Sequence, residues 1–455
     1  MNRYLPLILI ICLVTFMDYL DSTIIFIAGP NVSAFFQLGV SDGSWLVMGY
    51  DLILCAMLIP LSKLAKYGHA RNMLIIGLSI FIVGTVMCFF SDFNYWVLIA
   101  FRVVEGIGAV LCAATLPIMI VTMFPEDMQG RVTGAMLTGA GASMIIAPIL
   151  GGWLTGSLGW QYIFLVNVPI CIIALILSIK YVPGSSEKKR SNFDIKGMLL
   201  SVASIVSMLM FFEDVVDGGS IVIVYAIVCV VSSCLLVLHI RKHGDNGIIS
   251  HSIIANKEFR RLATSMLLAV MLIEGMLFLI PYYLEVGWNM SVFESGVYFA
   301  IISVSVVFIS IPVGRICETK GSRNILVAGC ILSVVFSLLF IFMEESWGPI
   351  MLVLTLLTIG SAYAIFETAH YVRLIRHMPG PLKDEAATFG TMISFLGASL
   401  GVSVFDIFVD IAISDGLGDG FRFCCGVCIV MAILGAILTL SVKSMKDRAT
   451  SEGCE

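Results

Sequence analysis

The chain has 455 residues, of which 59% are hydrophobic and only 13% charged, with a mean hydropathy of +1.03. That balance excludes an ordinary soluble domain. The formal net charge of −5 is thin over such a length, gives no basis for a nucleic-acid partner, and otherwise says little about partners.

Runs of roughly 20 mostly apolar residues are long enough to cross a bilayer as helices. In chain order they fall near 6–28, 44–62, 72–90, 95–123, 131–154, 161–182, 195–213, 220–240, 262–285, 293–313, 323–343, 349–371, 387–411 and 422–442, which makes fourteen. Helices are expected because the runs lack strict alternation and a bilayer accepts only helices or closed barrels. The first run follows a short basic start, but it is about 23 residues long and carries Asp18 and Asp21. It therefore reads as an uncleaved span, not a signal peptide. The longest interior gaps, near 183–194 and 241–261, are linkers with no room for a soluble domain.

Of 26 Lys and Arg residues, 24 lie in alternate gaps, from Arg3 through Lys63, Lys66 and Arg71 to Lys443, Lys446 and Arg448; Arg102 and Arg422 are the exceptions. Basic gaps face the cytoplasm, so both termini are expected inside. The gaps holding Asp92, Asp214 and Asp217, Glu344 and Glu345, and Asp415 and Asp419 are expected outside. The 13 Cys are mostly spread through the spans and read as small apolar packing residues. Cys424, Cys425 and Cys428 form a CCxxC, read as packing and not as a metal site because no His or carboxylate accompanies it.

A basic turn, Gly314-Arg315 through Glu318 to Gly321 and Arg323, follows span ten, and a similar one with Lys63, Lys66, Gly68 and Arg71 follows span two. Spans two and ten are each second in a block of six if spans seven and eight are an insert. The fifth spans of both blocks are glycine-rich, with Gly139, Gly141, Gly151, Gly152 and Gly156 in one and Gly390, Gly397 and Gly401 in the other. Small residues at four-residue spacing permit close helix approach in lipid, and Pro148 tends to bend span five. The expected fold is all-α and integral to the membrane. It has a six-helix bundle over 1–182, a linker with two extra spans over 183–261, and a second six-helix bundle with a short cytoplasmic tail over 262–455. Two such halves that rock against each other around a mid-membrane substrate are the architecture this suggests.

Several stretches resemble motifs of the major facilitator superfamily, and in detail its fourteen-span drug:proton antiporter family. They are Leu20-Asp21-Ser22-Thr23 with Ala28-Gly29-Pro30, Trp45 to Tyr50, Arg102-Val103-Val104-Glu105-Gly106-Ile107-Gly108-Ala109, Ala147-Pro148-Ile149-Leu150-Gly151-Gly152, and Trp160 to Pro169. The last is the most specific, and the resemblance covers nearly the whole chain. It implies two six-helix bundles plus two inserted helices, and exchange of protons for lipophilic, often cationic, compounds. Gly68 and Arg71, with Gly314, Glu318, Gly321 and Arg323, fall at the gating motif; Pro148, Gly151 and Gly152 fall at the antiporter motif. Two positions depart from the family: Ala65 stands where it has an acid, and Glu105 where it has an amide.

An ionisable side chain at mid-membrane costs several kcal/mol or is neutralised, so each is a candidate for function. Asp21, Arg102 and Asp51 each lie about seven residues, roughly 10 Å, below the outer ends of their spans. Asp18 and Glu105 sit a turn deeper, and Arg102 and Glu105 share a helix face at i, i+3. Apolar surroundings oppose carboxyl ionisation and a nearby Arg favours it, the balance a proton carrier needs. Asp21 and Glu105 are the leading carriers, Arg102 their switching partner and Asp18 a further candidate. A static pair tying helices together is the plainer reading of Arg102 and Asp21, and for Asp18 and Asp51 a structural or water-facing role weighs more. Glu274, near the centre of span nine with no basic residue at its depth, is a candidate substrate contact or second proton site, and Asp51 on span two is a further substrate candidate. Glu367, His370 and Asp406 are expected to meet water near span ends.

The expected function is proton-driven export of small lipophilic compounds by alternating access, from the cell membrane, by a monomer with no cofactor and no metal. Its partners are protons, a small-molecule substrate and the lipid bilayer. A symporter or exporter of one metabolite on the same scaffold is the alternative. A non-transporting sensor or enzyme is remote, because no nucleophile–base pair or phosphate loop is present.

Overall fold

A computed structural model describes residues 4–184, 194–215, 219–247, 249–343, 347–379, 382–412 and 417–442. Its α-helices are α1 (Leu5–Phe36), α2 (Val40–Leu64), α3 (Ala70–Phe89), α4 (Tyr95–Ala113), α5 (Leu116–Met123), α6 (Glu126–Ser157), α7 (Tyr162–Leu165), α8 (Asn167–Tyr181) and α9 (Ile195–Asp214). There follow α10 (Ser220–His243), α11 (His251–Ala255), α12 (Lys257–Tyr282), α13 (Val292–Lys320), α14 (Arg323–Ile341), α15 (Gly348–Arg376), α16 (Lys383–Ala412) and α17 (Leu417–Ser441). No strand occurs among the described residues. Among the described residues fourteen segments are long and apolar enough to cross a membrane, with α4 and α5 sharing one and α7 and α8 another.

Proline sets both internal breaks. It has no N–H to offer the carbonyl four residues earlier. Pro117 therefore leaves Ala113 without a helical partner, and Pro169 does the same to Leu165; α4 and α7 end at those two residues. Pro30, Pro60, Pro148, Pro281 and Pro312 lie inside helices that continue through them. The helices also outrun their apolar cores. α1 reaches Phe36, α13 reaches Lys320 and α15 reaches Arg376, beyond the 28, 313 and 371 expected from hydropathy, because a helix keeps its backbone bonds after its side chains turn polar.

The chain forms two compact units, Met1–Ile249 with Leu284–Ala300, and Ser250–Tyr283 with Ile301–Glu455. Within the first, α1 packs on α6 and α8, and α3 on α4 and α8. Within the second, α12 packs on α16 and α17, and α14 on α15 and α17. The internal repeat thus extends from motif to packing: first helix on fifth, third on fourth and sixth. Glycine makes the first-to-fifth contact in both. A Cβ on Gly139 or Gly151 would press on Cys12 or Ile24, and one on Gly397 or Gly401 on Val270 or Met271. The inserted pair α9 and α10 pack on each other, with α9 against α2. α10 buries only Ser232 and Ile240; a helix apolar on all sides and so little covered belongs in lipid.

The two basic turns differ in form and agree in one contact. The first passes through a π-helical turn, Ala65–His69; the second breaks at Gly321, whose φ of +84° suits glycine. Arg71 then donates to the carbonyl of Ile179 at 3.0 Å, and Arg323 to that of Leu440 at 2.9 Å. Each arginine satisfies an end carbonyl of the last helix in its block, where a cation is also favoured by the helix dipole. Gly68 lies in the first turn, and Gly314 faces Thr368. Glu318 falls in α13, with its side chain outside the described residues.

Candidate functional site

The first unit holds a buried network of charged and polar groups at mid-helix. Arg102 on α4 has 1% of its side chain exposed, Asp21 on α1 has 1% and Glu105 on α4 none. The Nη1 of Arg102 donates to Asp21 Oδ2 at 2.7 Å and to Glu105 Oε2 at 2.8 Å, while its Nε donates to the carbonyl of Leu46 on α2 at 3.2 Å. The guanidinium also lies over the Tyr50 ring, 4.6 Å from its centroid, a favourable cation–π arrangement. The Tyr50 hydroxyl donates to Asp18 Oδ1 at 2.7 Å. Asn167, the first residue of α8, donates from Nδ2 to Asp21 Oδ1 at 3.0 Å.

Close packing holds these groups in place. Glycine at 84 lets α3 meet the backbone of α4 at Glu105, and Gly106 lets α4 meet α2 at Tyr50; a Cβ at either would strike backbone. Thr85 of α3 donates to the carbonyl of Phe164 at 3.1 Å, securing the short helix α7 next to Asn167. Charge balance gives the site its chemistry. One guanidinium faces two carboxylates, so with both ionised a negative charge is left over in a water-excluded place. A single added proton removes it, and that proton also loosens the hold on Arg102, because the Coulombic attraction between guanidinium and carboxylate is lost.

Four residues named from sequence, Asp21, Arg102, Glu105 and Asp18, thus meet in one network. Tyr50 and Asn167 join it unannounced: both stand in the motif stretches, but a neutral polar side chain in an apolar run carries no signal beyond that. Asp51 is buried beside Tyr50 on α2. Glu274, on α12 of the other unit, is buried with no ion pair among the described residues. Pro148, Gly151 and Gly152 on α6 serve close packing, with Gly151 against Ile24 and Gly152 against the Val292 carbonyl, while a Cβ on Gly296 would overlap the Pro148 carbonyl.

His370 and Asp406 depart from expectation. Neither meets water, each being 2% exposed. His370 bonds to the Ser265 hydroxyl at 3.0 Å and to the Phe366 carbonyl at 3.1 Å, because neighbouring helices cover the face that hydropathy alone leaves undetermined. Glu367 is only partly covered and accepts from Ser394 at 3.3 Å. Cys424, Cys425 and Cys428 are all buried.

The Major Facilitator Superfamily profile matches residues 11–402. Riboflavin transporter RibZ of Clostridioides difficile is 27% identical over 408 residues, covering 88% of this chain and 87% of that one. Multidrug resistance protein Stp of Mycobacterium tuberculosis is 26% identical over 397 residues, covering 86% and 73%. Among solved structures, a bacterial homologue of the human lysosomal transporter Spinster superposes with a TM-score of 0.71 at 14% identity, covering 97% of both chains. A D-xylose-proton symporter does so at 0.68, also at 14%, covering 97% of this chain and 98% of that one. At such identities the structures speak for the fold alone.

Proposed function

The chain belongs to the major facilitator superfamily, and from that membership we propose that it is a proton-coupled secondary transporter exporting small lipophilic, often cationic, compounds by alternating access. It is an integral multi-pass membrane protein with a small-molecule substrate. Bacterial relatives point to the cell membrane, and the alternation of basic and acidic gaps supports cytoplasmic termini. The observation that carries proton coupling is the buried Arg102 shared by Asp21 and Glu105. A site whose charge balance is completed by one proton can hold one conformation when protonated and another when not. The six-helix halves, 1–182 and 262–455, are the bodies that would move, with Asp21 and Glu105 as carriers, Asp18 supporting them, and Glu274 and Asp51 meeting substrate.

Export of many compounds is supported by the multidrug resistance relatives. A second reading, a carrier of one metabolite, is favoured by RibZ, whose name specifies riboflavin. Vesicles holding the purified protein under an imposed proton gradient separate the two. Gradient-dependent flux of several lipophilic cations is expected. Flux of riboflavin alone would favour the second reading, and flux indifferent to the gradient would remove proton coupling.

A further inference from the structure

Asn167 is fully buried and half satisfied. Its Nδ2 donates to Asp21 Oδ1 at 3.0 Å, but its own Oδ1 is buried with no hydrogen-bond partner. Buried acceptors in folded proteins rarely stay unpaired, and one that does has a use to be sought.

The two oxygens of Asp21 are not equivalent. Oδ2 accepts from Arg102 Nη1 at 2.7 Å, and a guanidinium can only donate. The guanidinium draws charge onto Oδ2 and leaves Oδ1 the more basic oxygen, so a proton arriving on the carboxylate from water bonds preferentially to Oδ1. Where the new O–H points along the existing contact it meets the Nδ2 of Asn167, also a donor, 3.0 Å away, and the two donors repel. Half a turn of the amide about its last side-chain bond exchanges Nδ2 for Oδ1. The unpaired oxygen then accepts the proton of Asp21.

We infer that Asn167 is a positioning residue for Asp21, its amide donating to the ionised carboxylate and turning over to accept from the protonated acid. This rests on the reading of Asp21 as a proton carrier. Among the described residues, no other group around Asp21 is suited to both states. Arg102 of α4 can only donate and Glu105 of α4 is engaged by it, Tyr50 of α2 is committed to Asp18 of α1 itself, Cys88 of α3 leans on Glu105 at 3.8 Å, and Cys171 of α8 lies against Met17. The charged residues of α6, Glu126, Asp127 and Arg131, are confined to its first two turns. A neutral amide serves either protonation state without adding charge; an aliphatic residue of the same shape serves neither.

The test uses the full-length protein in vesicles, with wild type, Asn167→Leu, Asn167→Ser and Asp21→Asn compared. Infrared difference spectra between acid and alkaline pH should contain a carboxylic acid band that Asp21→Asn removes. In Asn167→Leu that band should move to higher wavenumber, as an acid without a partner. The pH of half-maximal export should rise by about one unit, because the lost bond to the charged form is the stronger of the two. Asn167→Ser, whose hydroxyl both donates and accepts, should recover part of each effect. If Asp21→Asn stops export while Asn167→Leu keeps the wild-type band and midpoint, the inference is wrong and the proton-carrier reading stands. Should Asp21→Asn export normally, that reading falls and the inference with it. If Asn167→Leu does not reach the membrane, Asn167→Ala, which can neither donate nor accept, decides through the same band: a shift supports the inference, and an unshifted band overturns it.

Discussion

Asp21 and Glu105 share one cation, yet they differ in what surrounds them, and the difference predicts how each variant behaves. Asp21 joins three helices, through Arg102 on α4 and Asn167 on α8 as well as its own α1, whereas Glu105 reaches Arg102 from the next turn of the same helix. Asp21→Asn fixes the neutral state across the helix junction and is expected to abolish uphill, proton-driven export while the protein still inserts. Glu105→Gln leaves the Asp21–Arg102 pair intact and should weaken export or shift its pH dependence without abolishing it. Both substitutions remove one charge and almost no volume, so lost packing is a poor explanation for either. Flux from vesicles at several pH values, set against the amount of inserted protein, checks them; wild-type pH dependence in Asp21→Asn would move the proton site to Asp18 or Glu105. Glu274→Gln should instead alter which cations are carried, visible as a changed ranking across a compound panel with gradient dependence retained. Charged members of the network were legible because a charge in an apolar run is rare. Tyr50 and Asn167 were not, since aromatic and amide side chains there look like packing.

At the scale of elements, hydropathy fixed the number of spans but not their ends. A span is recognised by its apolar middle, and the flanking turns of α1, α13 and α15 carry enough polar residues to fall below that signal while remaining helical. Close approach was legible for the glycine-rich fifth helices and missed for α3 and α4, where Gly77 and Gly84 lie seven residues apart and Gly106 and Gly108 only two. Gly84 is the informative case. A Cβ there would lie 2.7 Å from the Glu105 backbone nitrogen and 2.8 Å from its Cα, with no flexible side chain able to yield. Gly84→Ala must therefore push α3 away from α4 at the level of the charge network. Overpacking of this kind typically costs about 1–3 kcal/mol. The expected outcome is a lower melting temperature in detergent together with reduced transport. A Gly84→Ala protein with wild-type melting and flux would mean that the α3–α4 interface is looser than this spacing requires.

For the whole molecule, the repeat ties sequence to mechanism. Arg71 and Arg323 occupy matching places and each closes the end of the last helix in its block, so the two blocks share packing rules as well as motifs. Sequence displayed the repeat through its basic turns and glycine-rich fifth helices; it could not display which helices touch, because side-chain periodicity in a span apolar on most faces leaves the facing side undetermined. Orientation remains the property on which directional transport depends. Of the basic residues, 24 of 26 sit in alternate gaps, and an unfolded chain carrying such gaps is retained on the cytoplasmic side. An epitope placed after Glu455 and another in the 183–194 linker should therefore both resist labelling in intact cells and become accessible after permeabilisation. The two sites are separated by an even number of spans, eight, and so must agree with each other whatever the overall orientation. Labelling of both from outside would invert the molecule and turn export into uptake. Labelling of one alone would mean that a span between them has been miscounted, with α9 or α10 the first to suspect because little protein covers them.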